Sequence, residues 1–260
     1  MKNIAQAGGL LLVFLLAGAG ALFAQDVMEP GRTYVSFPGP GGVTLHGYLA
    51  IPPGAGDHPG VLMIPEWWGL NRDITLMADA LAKEGYVVLA ADAFRGQVAQ
   101  TPEEAMKQVT STPPTQIAAD LDAALGFLSS HPLVNPDKVA VLGFCFGGTQ
   151  AMLQSTRRAN LAATVILYGP GPIADAAALG SMGKAGPVLG IYGEQDPNIP
   201  VAQVKAFQDA LKAKGIASTI TIYPGVGHAF VKSTTYQNGE QAQKAWEQVV
   251  AFLDRALQQG

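Results

Sequence analysis

The stretch VAVLGFCFGGTQ, Val139 to Gln150, decides how the rest of the chain is read. An apolar run reaches Gly143, and Cys145, the chain's single cysteine, follows before a segment able to start a helix. Gly143, Cys145 and Gly147 stand at the spacing G-x-nucleophile-x-G. A sharp strand-to-helix turn needs that spacing, because side chains at both flanking positions would collide. A thiol there sits near a helix N-terminus, whose positive end favours thiolate. The alternative is a small buried structural cysteine, since free cysteine is among the most buried residue types. A phosphate-binding loop does not fit, because the glycine spacing is wrong and no G-K-[ST] follows.

Outward from this turn the chain alternates between two periods. TYVSF and GVTLHGYLAIP alternate like exposed-edge strands, with PGPGG between them as a turn. GVLMIPE, YVVLAAD, KVAVLGF, ATVILYG, PVLGIYG and ASTITIYPG are short apolar runs of the kind covered on both faces of a sheet. Between and after them lie segments with apolar residues three and four apart, from NRDITLMADALAKEG to the closing EQAQKAWEQVVAFLDRALQQ. Repeated βα units predict a mostly parallel sheet with helices on both faces, in one domain over residues 25–260. Ligand sites in such folds lie in the loops beyond the strand ends.

Composition bounds the partners. A net charge of −4 without any Lys/Arg block argues against a nucleic-acid partner. One cysteine makes no internal disulfide and excludes the cysteine-rich zinc patterns. The opening MKNIAQAGGLLLVFLLAGAGALFAQD has an early lysine, an uncharged apolar run and small residues before Gln25. This is the order of a secretory signal peptide over residues 1–24, with Ala19-Gly20-Ala21 or Ala24 marking cleavage. A retained anchor is the alternative reading; no cysteine follows the apolar run, so a lipoprotein is excluded. The expectation is a periplasmic or secreted monomer, free of the membrane once cleaved.

A nucleophile needs a base. His46, His58 and His131 lie in strand or turn contexts and read as surface residues. His228, in YPGVGHAF, follows an apolar strand and sits in a glycine-rich loop that can present an imidazole at the sheet edge. Asp196, in IYGEQDPNIP, ends another strand at the same edge, where it can fix the tautomer of a histidine. Nucleophile 145, acid 196 and base 228 follow the chain order of α/β-hydrolases, with cysteine in the first place.

With these three loops placed, the chain resembles the dienelactone hydrolase family of α/β-hydrolases from Val43 to Phe252. GFCFGG is similar to that family's G-x-C-x-G-G elbow, and GEQD and GHAF to its acid and base loops. IPEWWGLNRDI resembles its first active-site loop, with a glutamate at Glu66. The resemblance implies hydrolysis of an enol-lactone or related ester by Cys145, His228 and Asp196, without metal or organic cofactor and without a large cap domain. It also implies that Glu66 pairs with the resting cysteine until substrate binds. The elbow chemistry assigns oxyanion binding to the backbone N–H of Phe146 and one from the 66–67 loop, Trp67. Trp67 and Trp68 read as the lining of an aromatic pocket, with core packing the alternative for one of them.

The sequence departs from the family at its anion clamp. An arginine four residues after the histidine is replaced by Lys232, which keeps the charge and loses bidentate geometry. The second arginine has its counterpart in DAFRGQVAQ, where Arg95 lies close but at an unmatched spacing from Asp92. Both departures leave open a general short-chain carboxylesterase with no anionic requirement. An exported binding protein with an idle site, and a redox role for the lone cysteine, are the readings from other classes.

Overall fold

The computed structural model describes residues 32–258. The expected leader, residues 1–24, lies outside them. Eight strands form one sheet in the order β1-β2-β4-β3-β5-β6-β7-β8. The strands are β1 (Arg32–Pro38), β2 (Thr44–Ala50), β3 (His58–Ile64), β4 (Val87–Ala91), β5 (Val134–Phe144), β6 (Ala163–Leu167), β7 (Val188–Gly193) and β8 (Ser218–Tyr223). β2 runs antiparallel to β1 and β4, and the six strands from β4 to β8 are parallel. The alternating N-terminal segments do form a hairpin around Pro40–Gly42. Of these two strands only β1 is an edge, however: β2 is flanked on both sides, and its second half is buried accordingly.

The helices are α1 (Arg72–Ala82), α2 (Pro102–Ser111), α3 (Pro114–Ser129), α4 (Phe146–Arg157), α5 (Val201–Ala213) and α6 (Glu240–Leu253). Local signals start and stop them. The Asn71 side chain accepts from the Ile74 N–H at the head of α1, and Gly85, at φ 99°, turns the chain after it. Thr101 caps α2 ahead of Pro102. Strand residues then divide by parity. Val61 and Met63 join Met77 and Leu81 of α1 and Trp246 and Val249 of α6 in one cluster. Leu62 and Ile64 point the other way, to Leu121, Leu125 and Leu128 of α3. Helices therefore cover both faces of the sheet, and the parallel strands deliver their C-terminal loops to one edge. Among the described residues no helix is long and apolar enough to cross a membrane.

Candidate active site

Cys145 lies between the last residue of β5 and the first of α4, with φ 51° and ψ −118°. Such a backbone costs a non-glycine residue about 1–3 kcal/mol and persists only where its surroundings hold it. Here they do. A Cβ on Gly143 would collide with the Gly147 carbonyl, and one on Gly147 with the carbonyls of Ile64 and Pro65. The Cys145 N–H donates to the Leu167 carbonyl at 3.0 Å. Strand, helix and two neighbouring strand ends thus converge on the turn, which aims the sulfur off the sheet edge.

The two partner loops meet it there. His228 follows β8, and its Nε2 lies 3.0 Å from Sγ of Cys145. On the other side of the ring, Nδ1 lies 2.6 Å from Oδ2 of Asp196, which follows β7 and whose side chain is fully buried. A buried carboxylate accepts from Nδ1–H, so the lone pair of Nε2 faces the thiol. The other Asp196 oxygen accepts from the Asn198 N–H at 2.8 Å. Two residues invisible as functional in the sequence complete this support. Tyr168, just beyond β6, donates its hydroxyl to the Val231 carbonyl at 2.7 Å and sets its ring edge-on to His228. Gln108 of α2 donates its side-chain amide to the Trp67 carbonyl and so pins the 66–67 loop. Their only sequence signals are a tyrosine closing a strand and a glutamine on the apolar face of a helix.

Electrostatics keep the sulfur protonated. Burial, followed by the nearby Glu66 charge, pushes the Cys145 thiol up to about 12. Backbone N–H groups of Phe146 and Trp67, both directed at the sulfur, pull in the opposite direction without prevailing. The helix N-terminus that favours thiolate in isolation is therefore outweighed by desolvation. Glu66 is itself raised by burial, an effect partly offset by the Lys232 charge. A thiol with a raised pKa gains thiolate only as pH climbs toward that value, so alkylation of Cys145 by iodoacetamide should still be accelerating at pH 9. Glu66→Gln removes a charge that disfavours thiolate. It should shift the alkylation profile to lower pH, with a rate increase of about threefold to tenfold at pH 8. An unchanged profile would show that Glu66 does not act on the sulfur.

Glu66, Trp68, Asn71, Asp73, Gln100 and Lys232 line a polar cup of about 340 Å³, and Glu66 is the carboxylate that acts on Cys145. Lys232 is exposed, and the neighbouring Ser233 donates its N–H and hydroxyl to Asp73. Trp67 and Trp68 meet edge-on at 5.3 Å. Arg95 is the residue that the structure does not bring to the cup. Its guanidinium makes bidentate contacts of 2.8 and 2.9 Å with Asp120 on α3, so its fork of donors is turned to the helix layer. The other histidines also stay apart: His46 pairs with Ser36, His58 with the Gly85 carbonyl, and His131 with the Leu133 N–H. Among the described residues no cluster of three or more His, Cys, Asp or Glu could hold a metal ion.

Comparison with known proteins agrees with this architecture. The sequence profile described as the dienelactone hydrolase family matches residues 45–257. "Protein usf" of Aquifex pyrophilus is 32% identical over 225 residues, spanning 83% of this chain and 95% of that protein. A Synechocystis protein named "Putative carboxymethylenebutenolidase" is 31% identical over 231 residues, spanning 82% and 92%. The solved structure of the dienelactone hydrolase-like promiscuous phosphotriesterase P91, from metagenomic libraries, superposes with a TM-score of 0.75. It covers 87% of this chain and 99% of that one at 22% identity, a likeness of fold.

Proposed function

The chain belongs to the dienelactone hydrolase family, and from that premise we propose that it hydrolyses a carboxylic ester or enol-lactone through a cysteine acyl-enzyme. One observation carries the reading. Sγ, the imidazole and the Asp196 carboxylate form an unbroken series at 3.0 and 2.6 Å, with two backbone N–H groups directed at the sulfur.

The chemistry follows from that series. As Sγ attacks the substrate carbonyl carbon, Nε2 of His228 takes the thiol proton, and Asp196 stabilises the imidazolium. The carbonyl oxygen gains negative charge between the N–H groups of Phe146 and Trp67, donors fixed before the reaction begins. The ester C–O bond then breaks while Nε2 returns the proton to the leaving oxygen, and a thioester remains. Water gives its proton to the same nitrogen and attacks the thioester; the acid departs and the thiol is restored. Glu66 acts between turnovers, holding the cysteine in its protonated form until substrate enters.

Two features favour an uncharged short-chain ester over an acid-bearing lactone. Arg95 is held by Asp120, and Lys232 shares the cup with two carboxylates, Glu66 and Asp73. The cup therefore carries no net positive charge to clamp an anion. The test compares 4-nitrophenyl butanoate with a dienelactone carboxylate, both followed by absorbance. The ester should be cleaved with a kcat/KM at least about tenfold higher, the loss expected when a bidentate charged contact is missing. A faster lactone reaction overturns the substrate preference, and no turnover of either overturns the hydrolase reading.

A further inference from the structure

A second cavity of about 310 Å³ is lined by Tyr34, His46, Leu70, Asp92, Gly96 and Val98. Val98 belongs to the walls of both this cavity and the polar cup. The two differ sharply in chemistry. The cup is edged by Glu66, Asp73, Lys232 and two amide side chains. The second cavity presents the Tyr34 ring, Leu70 and Val98, and its Asp92 and His46 side chains already hold partners. The Asp92 carboxylate accepts from the N–H groups of Phe94 and Gly96. Nδ1 of His46 is bonded to the Ser36 hydroxyl at 3.0 Å. An apolar group entering here leaves those contacts in place. Tyr34, 53% exposed, is one of two large hydrophobic side chains that the described residues leave open to water.

The wall between the cavities is built into the site. The Ala99 N–H donates to the Trp68 carbonyl at 3.0 Å, and a Cβ on Gly69 would collide with the Gln97 carbonyl. The loop that carries Glu66 and the Trp67 N–H is thereby locked to the loop that carries Val98. The two cavities thus share a fixed wall, locked to the loop whose Trp67 N–H is directed at Cys145.

We propose that this chamber is a substrate subsite that receives an apolar alkyl or aryl arm of the ester, with Val98, Leu70 and Tyr34 setting its length. The proposal rests on the hydrolase reading and names its substrate class: an uncharged ester with one medium-length apolar arm. A volume near the lower end of the ~300–1,000 Å³ typical of ligand sites limits that arm to a chain of modest length.

The test measures kcat/KM along two series: 4-nitrophenyl acetate to decanoate, in which the acyl arm grows, and methyl to octyl acetate, in which the alcohol arm grows. One series should rise by about threefold per methylene through the hexyl member, the yield of burying a CH₂, and then level off. That series identifies which arm enters. Val98→Trp, which fills the chamber, should lower the six-carbon to two-carbon ratio at least about fivefold. Tyr34→Ala, which also removes the ring packed edge-on against Tyr48 and so is read in folded protein, should lower the same ratio. A wild-type profile flat in both series overturns the subsite. So do folded variants that leave the ratio unchanged, whatever they do to the absolute rates. If wild type cleaves no ester in either series, the hydrolase reading fails and the subsite falls with it, a result distinct from hydrolysis without chain-length preference.

Discussion

Replacing Cys145 with alanine should lower kcat/KM for ester hydrolysis by at least about a thousandfold, with thermal stability nearly unchanged. The size follows from the geometry. Without Sγ, the imidazole has no nucleophile within 3.0 Å, and no thioester can form. What survives is the contribution of the two backbone N–H groups and of binding, which in triad enzymes leave about 10³–10⁴-fold over water, well short of an intact site. The small effect on stability has an equally local cause, because alanine accepts the same left-handed backbone and cysteine's side chain is only partly buried. His228→Ala should fall into the same range, since thiol deprotonation is lost with it. The double variant should be no worse than either single one, as residues acting in one unit are non-additive. Rates measured for all three, with melting curves alongside, decide the matter. A Cys145→Ala protein that still hydrolyses within tenfold of wild type would remove the cysteine from the chemistry altogether.

The second large effect is on stability. Gly147→Ala should cost at least about 3 kcal/mol, because the new methyl meets the carbonyls of Ile64 and Pro65, and backbone gives way less readily than a side chain. For a domain of this size that is a fall in Tm of about 6–12 °C. Gly126 supplies the control. It lies on an exposed turn of α3 with nothing near the position of a new Cβ, so Gly126→Ala should stabilise by about 0.5–1 kcal/mol. Two identical substitutions would then move Tm in opposite directions. Equal shifts at both glycines would mean that the close approach at the elbow is not what the glycine serves.

The contrast between those glycines also shows what a sequence can and cannot disclose. The G-x-Cys-x-G spacing carries its own geometry, so the turn, the strand before it and the helix after it were readable together. The chain order 145, 196, 228 was readable because each residue ends a recognisable apolar strand, and parallel topology brings such ends to one edge. The limits lie where a partner comes from a distant segment. Arg95 reads as a free cation beside a pocket, and nothing near it reveals Asp120, 25 residues away on α3. The thiolate-favouring turn at Cys145 was legible; the burial that outweighs it depends on every loop around it. Tyr168 and Gln108 act through hydrogen bonds to backbone carbonyls, which leave no pattern in the sequence. β2 looked like an edge because alternation reports one solvated face and is silent about the strand beyond.

The Arg95–Asp120 pair gives this chain an evolutionary asymmetry. Asp120 is 3% exposed and Arg95 33%. Losing the arginine strands a buried carboxylate, a change that folding penalises severely. Losing the aspartate releases a guanidinium that water already reaches, a far milder step. The released side chain would stand on the 95–100 loop, which lines both cavities. A single substitution of Asp120, which lines neither cavity, would thus place a guanidinium beside both of them.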